Sequence, residues 1–438
     1  MIMKRAAYVL AALTLGGLLV WIMESGAADV YLEATRPDFQ KISIGILGFR
    51  DGKTADHLGD RVAEVLSADL RRSQVFSIAD LVKLGIKPDE ARLAQKAVLK
   101  RATENGVAVL VWGQLSAGGP DLTLEGYVYD GNDDEVMTGK RYIGAPSVLR
   151  TMAHRLADEL VFRYTGEAGI SRTKIAFVSE QAGGRELFVM DYDGYGPRQV
   201  TSDGFLNLMP RWSPDRRFLA FTAFRDPRKQ TIDLIELATG KRWALISLPG
   251  LNITPAWSPD GTLLAFATSQ DGNSEIYTLD TRTKALQRLT SHAAGDLSPT
   301  WSPTGRELAF TSDRGGSPQI YLMSADGSNV RRLTFEGEYN ASPAWSPRGS
   351  WIAYVCRSDE RNFKLCLITP DGQKRLQITT GPSVDDSPSW SPDGRHLVFS
   401  STSEGQSHIY LINSDGTERE RLTSRDAYHS SPSWSPAG

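Results

Sequence analysis

Pro255-Ala256-Trp257-Ser258-Pro259-Asp260-Gly261 is the stretch that decides the fold, because its core recurs. Trp-Ser-Pro stands at Trp212, Trp257, Trp301, Trp345, Trp390 and Trp434, at intervals of 45, 44, 44, 45 and 44 residues. A period of this size, with several strand-like runs per unit, is a propeller signature, one four-stranded blade per repeat. Each unit keeps one internal order. Pro-x-Trp-Ser-Pro comes first, then a turn, best seen in Asp260-Gly261 and Asp393-Gly394. Gly takes positive φ there at little cost and Asp caps the turn. A second strand follows, as in Leu264-Ala265-Phe266 or Leu308-Ala309-Phe310, and a third, as in Glu275-Ile276-Tyr277. A turn such as Asp326-Gly327 then leads into a fourth strand ending in Arg-Leu-Thr, as in Arg288-Leu289-Thr290.

The two ends of the repeat region are complementary. The last unit stops at Trp434-Ser435-Pro436-Ala437-Gly438, a first strand with nothing after it. Ile175-Ala176-Phe177, Leu187-Phe188-Val189 and Gln199-Val200-Thr201 read as second, third and fourth strands lacking a first. One blade therefore takes three strands from near 173–201 and its innermost strand from the C-terminus, which leaves no open sheet edge. The expected fold is a six-bladed β-propeller over 169–438, closed by strands from both ends of the repeat region.

Residues 39–168 read differently. Lys41–Phe49, Val75–Ile78, Val107–Trp112 and Leu122–Tyr129 suit strands. Asp56–Arg71, Asp89–Asn105 and Ser147–Tyr164 suit helices; Val62, Leu66 and Leu70 lie on one face of the first. A β-α-β-α-β-β-α order predicts a mixed α/β domain. Gly166–Ser171 is the expected linker. At the start, Lys4-Arg5, an apolar run from Ala6 to Met23 and the small residues Ser25-Gly26-Ala27 form a signal peptide over 1–27. An uncleaved anchor is the competing reading, since the run is near the lower limit for spanning. Either way the chain is exported, and its repeat style points to a bacterial periplasm.

A formal net charge of −3 and no basic stripe exclude a nucleic-acid binder. Only two cysteines are present, so no disulfide framework staples the fold. Cys356 and Cys366 fall on adjacent strands of one blade, where a bridge and two buried thiols are both compatible with the sequence. The acidic run Asp130–Glu135 lacks the alternating oxygens of a calcium loop and reads as a hairpin turn. No Gly-x-Ser-x-Gly elbow, His-Glu-x-x-His or Walker-type loop occurs, so the expectation is a non-enzyme.

Three residues before the first Pro of each unit stand Asn207, Asn252, Asp296, Asn340, Asp385 and His429. They suggest a polar ring at one mouth of the channel, serving a partner or a cation. The alternative is that they cap their own loops. With their neighbours Leu251, Thr254, Leu297 and Ser298 they form the candidate docking face. No cofactor is expected beyond such a cation. An exported propeller hydrolase or lyase is the other reading, for which Asp296, Asp385 and His429 are the only hints.

The Trp-Ser-Pro-Asp-Gly blades, Ile175-Ala176-Phe177-Val178 after the linker and Asp191-Tyr192-Asp193-Gly194 together make the chain similar to the TolB family of periplasmic translocation proteins, nearly from end to end. The resemblance implies a place in the Tol-Pal system, which supports outer-membrane integrity and constriction at division. It implies a propeller that binds the peptidoglycan-associated lipoprotein Pal. It implies an extended segment over 28–38, with Val30, Tyr31 and Leu32 as anchors, that binds the inner-membrane protein TolA. Association with the envelope would run through these partners, and the expected state is a monomer.

Overall fold

The computed structural model describes residues 40–52, 57–86, 95–131, 135–181, 184–226, 229–357, 362–424 and 426–438. The predicted signal peptide and the segment carrying Val30, Tyr31 and Leu32 lie outside the described residues. The elements of the first part are β1 (Ile42–Asp51), α1 (Leu58–Arg72), β2 (Phe76–Ile78), α2 (Gln95–Glu104), β3 (Val109–Gly118), β4 (Asp121–Asp130), β5 (Glu135–Gly144) and α3 (Leu149–Thr165). They build a mixed sheet of order β2-β1-β3-β4-β5. β1 runs parallel to β2 and β3, and β3-β4-β5 form antiparallel hairpins. Strand side chains alternate between faces. Val109 and Val111 meet Val62, Leu66 and Leu70 of α1 and Met152, Leu156 and Leu160 of α3. Leu110 points the other way, against Val98, Leu99 and Ala102 of α2.

β5 is a strand that the sequence order above does not contain. It pairs Glu135 with Asp130, so the acidic run spans the hairpin between β4 and β5, although 132–134 lie outside the described residues. Gly139, Lys140, Arg141 and Gly144 dilute its apolar signal, as suits an edge strand. The linker is not a free tether. Gly166 ends α3 at φ 71° and its N–H donates to the Phe162 carbonyl. The Ser171 N–H donates to Asp158, which also pairs with Arg172 at 2.8 Å.

The rest of the chain is a β-propeller. Four four-stranded antiparallel sheets cover Asn252–Arg288, Asp296–Arg332, Tyr339–Gln377 and Asp385–Arg421. One eight-stranded sheet combines strands from Lys174 to Ile246 with His429–Trp434. Within it, Gly184–Asp191 and Leu206–Trp212 are joined by the single parallel pair Arg185–Leu206. The C-terminal strand pairs antiparallel with Lys174–Gln181, setting Trp434 opposite Ile175.

The recurring residues each perform a local task. The Ser of Trp-Ser-Pro bends the chain: Ser258 Oγ donates to Asp260 and accepts the Leu263 N–H. Ser213 and Ser391 repeat the pattern. The Thr of Arg-Leu-Thr ties the fourth strand to the third: Thr290 Oγ1 accepts the Ile276 N–H and donates to Glu275. Three of the six Trp indoles donate to the neighbouring blade, Trp212 to the Ser433 carbonyl, Trp301 to Ala256 and Trp390 to Ala344. The α/β domain packs on the turns that follow two innermost strands, through the pairs of Glu167 with Arg348 and Arg395, and at the links between third and fourth strands, through Asp69–Tyr192 and Arg72–Glu420.

Candidate functional site

The innermost strands surround the propeller axis and carry every sequence-predicted propeller site residue except Leu251, which directly precedes one of them. Asn207, Asn252, Asp296, Asn340, Asp385 and His429 are the first or second residues of those strands, not loop residues. Five of them are 0% exposed and His429 is 6% exposed. Their backbone N–H groups reach the preceding blade, as Asp296 to the Ser274 carbonyl, Asn340 to Pro318, Asp385 to Phe363 and His429 to Ser407. Their side chains do the same or bind their own blade. Asn252 Nδ2 donates to the Gln230 and Leu248 carbonyls. Asn340 Nδ2 donates to Gln319 Oε1 and the Glu336 carbonyl. Asn207 Nδ2 donates to Glu186 and Asp203, and Arg242 donates to its Oδ1. Asp296 accepts from Arg314 at 2.7 Å. Asp385 accepts from Ser383 and Ser401 and faces Lys364 at 3.7 Å.

This corrects the polar-mouth reading. Four of the side chains, Asn207, Asn252, Asn340 and Asp385, reach the preceding blade, and Asp296 binds Arg314 of its own blade, because a buried polar group must find partners inside the protein. The six offer no surface for a partner. His429 is the exception in chemistry: both ring nitrogens are buried without a hydrogen bond, and burial followed by the neighbouring His408 pulls its pKa down to about 4. For a cation, no group of three or more His, Cys, Asp or Glu side chains suited to holding a metal occurs among the described residues.

Two positions further along lies a second six-fold set. Met209, Thr254, Ser298, Ser342, Ser387 and Ser431 all have φ between 49° and 56°. Each precedes a proline and sits where the strand register shifts. Left-handed backbone is costly for non-Gly residues, and most so for the β-branched Thr254. The resulting bulges turn these residues toward the axis. They line a channel cavity of about 610 Å³ that continues to the Ser-Pro turns. Thr254 and Ser298, both predicted site residues, line it; Leu251 and Leu297 do not.

Around the opposite mouth lies a feature of which the sequence reading named only Leu251. Phe205, Leu206, Leu251, Phe335 and Val384 are 45, 41, 39, 73 and 37% exposed. All five stand in or next to the segments that enter innermost strands. They form an apolar rim at the end of the propeller away from the α/β domain. Leu297 is half-buried beside them. Leu206, Leu251 and Val384 share one repeat phase, six residues before the Trp, whereas Phe205 and Phe335 stand seven and ten residues before it; the other units carry Gly295, Tyr339 and Tyr428 at that phase. Cys356 and Cys366 are joined by a disulfide, with Cα atoms 5.9 Å apart.

The comparisons with known proteins agree with this architecture. The family model described as TolB beta propeller domain matches residues 161–438, and the one described as TolB amino-terminal domain matches 30–136. The Tol-Pal system protein TolB of Desulfosudis oleivorans is 34% identical over 269 residues, 59% of this chain and 60% of that one. Its namesake in Geobacter sulfurreducens is 40% identical over 197 residues, 44% of each chain. The chain thus spans about half the length of the curated relatives it matches. The crystal structure of TolB from Acinetobacter baumannii superposes with a TM-score of 0.76 at 28% identity, covering 91% of this chain and 97% of that one. With an α/β domain, a propeller and a family model spanning most of its length, the chain belongs to the TolB family.

Proposed function

We propose that this chain is a periplasmic, non-enzymatic binding protein of the Tol-Pal system. Its propeller would bind a Pal-like lipoprotein, and its segment around Val30, Tyr31 and Leu32 a TolA-like inner-membrane protein. Two relatives carry the Tol-Pal system in their names. The proposed division is a signal peptide over 1–27, the extended segment over 28–38, the α/β domain over 39–168 and the propeller over 169–438. Six blades is the proposed count: the eight-stranded sheet, held by one residue pair at its middle, is taken as two. The disulfide suits an oxidising compartment. Among the described residues, no helix is long and apolar enough to cross a membrane.

The observation that carries the docking reading is the apolar rim of Phe205, Leu206, Leu251, Phe335 and Val384. Exposed apolar side chains grouped on one face mark protein–protein contact. Leu297, Ser298 and Thr254 continue this face inward. The enzyme reading loses its hints, because Asp296, Asp385 and His429 are buried between blades.

The test is a pull-down from envelope extract with the mature chain and with Leu251→Asp/Phe335→Asp. The expected result is recovery of a peptidoglycan-associated lipoprotein by the wild type and its loss by the folded variant. Equal recovery by both would move the docking face elsewhere. No lipoprotein with either would remove the Tol-Pal reading.

A further inference from the structure

One residue makes the channel chemically uneven. The position before each Trp of the repeat faces the cavity in all six innermost strands, and it is occupied by Arg211, Ala256, Thr300, Ala344, Ser389 and Ser433. Five are small and uncharged. Among the described residues, Arg211 is the only charged one that lines the cavity. Its guanidinium donates to the carbonyl of its neighbour Pro210 at 2.9 Å. No carboxylate lies within ion-pair distance of it among the described residues. Enclosure by the channel wall pulls its pKa down to about 10, with no acidic neighbour to oppose that, so it stays protonated at neutral pH.

Arg211 is half-buried, and a partly enclosed cation without a counter-charge is costly to keep. Elsewhere in this propeller, half-buried guanidiniums are partnered: Arg242 by Asp203 and Asp233, Arg314 by Asp296. Arg211 is instead placed where space remains in front of it. Thr300, Ser389 and Ser433 line the same level of the channel, and Ser298, Ser342 and Ser387 the next; the Thr300 and Ser389 hydroxyls accept the Trp345 and Trp434 N–H groups, which leaves their protons free to donate. A hydroxyl can donate to an anion from any rotamer that reaches it. A planar guanidinium with hydroxyl donors around it matches a carboxylate, which it can hold by two parallel N–H···O bonds.

We propose that the propeller channel is a carboxylate-binding site anchored by Arg211. The ligand is a small free carboxylate or the acidic side chain of an inserted peptide. Both present the same group to the guanidinium. The inference does not depend on the identity of the lipoprotein partner, because it concerns the inside of the channel and not the rim.

The experiment is isothermal titration calorimetry of the full mature chain at pH 7 and low salt. The probes are citrate and a blocked Ala-Ala-Glu-Ala-Ala peptide. Arg211→Met and Arg211→Lys are compared with wild type, with Arg216→Ala as a charge control outside the cavity, and each variant's melting curve reports folding. The expected result is binding of at least one probe, weakened tenfold or more by Arg211→Met, less by Arg211→Lys, and not by Arg216→Ala. Citrate alone binding assigns a free acid; peptide binding assigns an inserted side chain. Failure of both probes to bind wild type overturns the proposal. So does binding that folded Arg211→Met retains, or that Arg216→Ala reduces equally.

Discussion

Thr254 is the most strained of the six left-handed residues around the channel, since its Cβ is branched and its hydroxyl is buried without a partner. The left-handed conformation costs about 1–2 kcal/mol for a non-Gly residue. Glycine removes that cost and adds about 0.5–1 kcal/mol of chain entropy to the unfolded state. Relief therefore exceeds entropy, and Thr254→Gly is expected to raise stability by about 0.5–1 kcal/mol. A denaturant midpoint that falls instead would show that the strand, and not the side chain, sets the bulge. His429 supplies a second, pH-dependent expectation. Its pKa in the folded chain is about 4, below its ordinary value of 6.5, because burial and then His408 disfavour the charged ring. Between those values the unfolded chain binds a proton that the folded chain does not, so stability falls as pH drops from about 6.5 toward 4. His408 and Phe177 face the ring and Asp426 lies on its loop, so no strong counter-charge cancels the effect. His429→Gln should flatten the loss of Tm between pH 7 and pH 4.5, and parallel losses in both proteins would place the acid sensitivity elsewhere.

The strand pair Ile352–Arg357 and Lys364–Ile368 carries the Cys356–Cys366 bridge at a separation of 10 residues. A loop this short limits the chain-entropy gain to about 2–3 kcal/mol. Cys356→Ala/Cys366→Ala is expected to lower stability by about 2 kcal/mol and to make the melting curve indifferent to dithiothreitol, whereas the wild-type curve shifts downward with it. A wild-type curve that ignores the reductant would count against the bridge. Strands of this kind are legible in the sequence because a short apolar run recurs at a fixed phase beside the Asp-Gly turns; both are buried almost throughout, so alternation does not mark them. The pairing of His429–Trp434 with Lys174–Gln181 is legible because the two repeat ends lack complementary pieces. β5 is not legible, since an edge strand needs few buried residues and only Tyr142 of its described side chains is buried. The Asn/Asp/His set is visible as a ring but not as staples: the same residue types suit a wet loop and a buried inter-blade bond, and burial is decided by the neighbouring blade. The left-handed set runs against local rules altogether, because a residue before proline is biased toward extended backbone. Arg211 was open to discovery by aligning the residue before each Trp, a comparison the repeat itself invites.

The two domains meet through a contact that no single segment predicts. Asp69 on α1 accepts from Tyr192 of the propeller at 2.6 Å and lies 2.7 Å from His154 Nδ1 on α3. All three side chains are at most 3% exposed. Burial raises the Asp69 carboxyl, and the bonds from His154 and Tyr192 oppose that shift. A second contact, Arg72 to Glu420, is closer to water, with Glu420 46% exposed. The energetics of the two should differ. An exposed ion pair contributes about 0–1 kcal/mol. A buried carboxylate deprived of one of two donors loses about 1–3 kcal/mol, because the freed oxygen has no water to turn to. Tyr192→Phe should therefore loosen the domain contact more than Glu420→Gln does. Calorimetry would show this as a lower transition for the α/β domain, and limited proteolysis as faster cutting in 166–171, a stretch otherwise held by Asp158. If Glu420→Gln separates the domains as readily as Tyr192→Phe, the surface pair holds them. If neither does, the Glu167 contacts with Arg348 and Arg395 suffice alone, and the buried trio serves only to satisfy a carboxylate that the packing of α1 against α3 has enclosed.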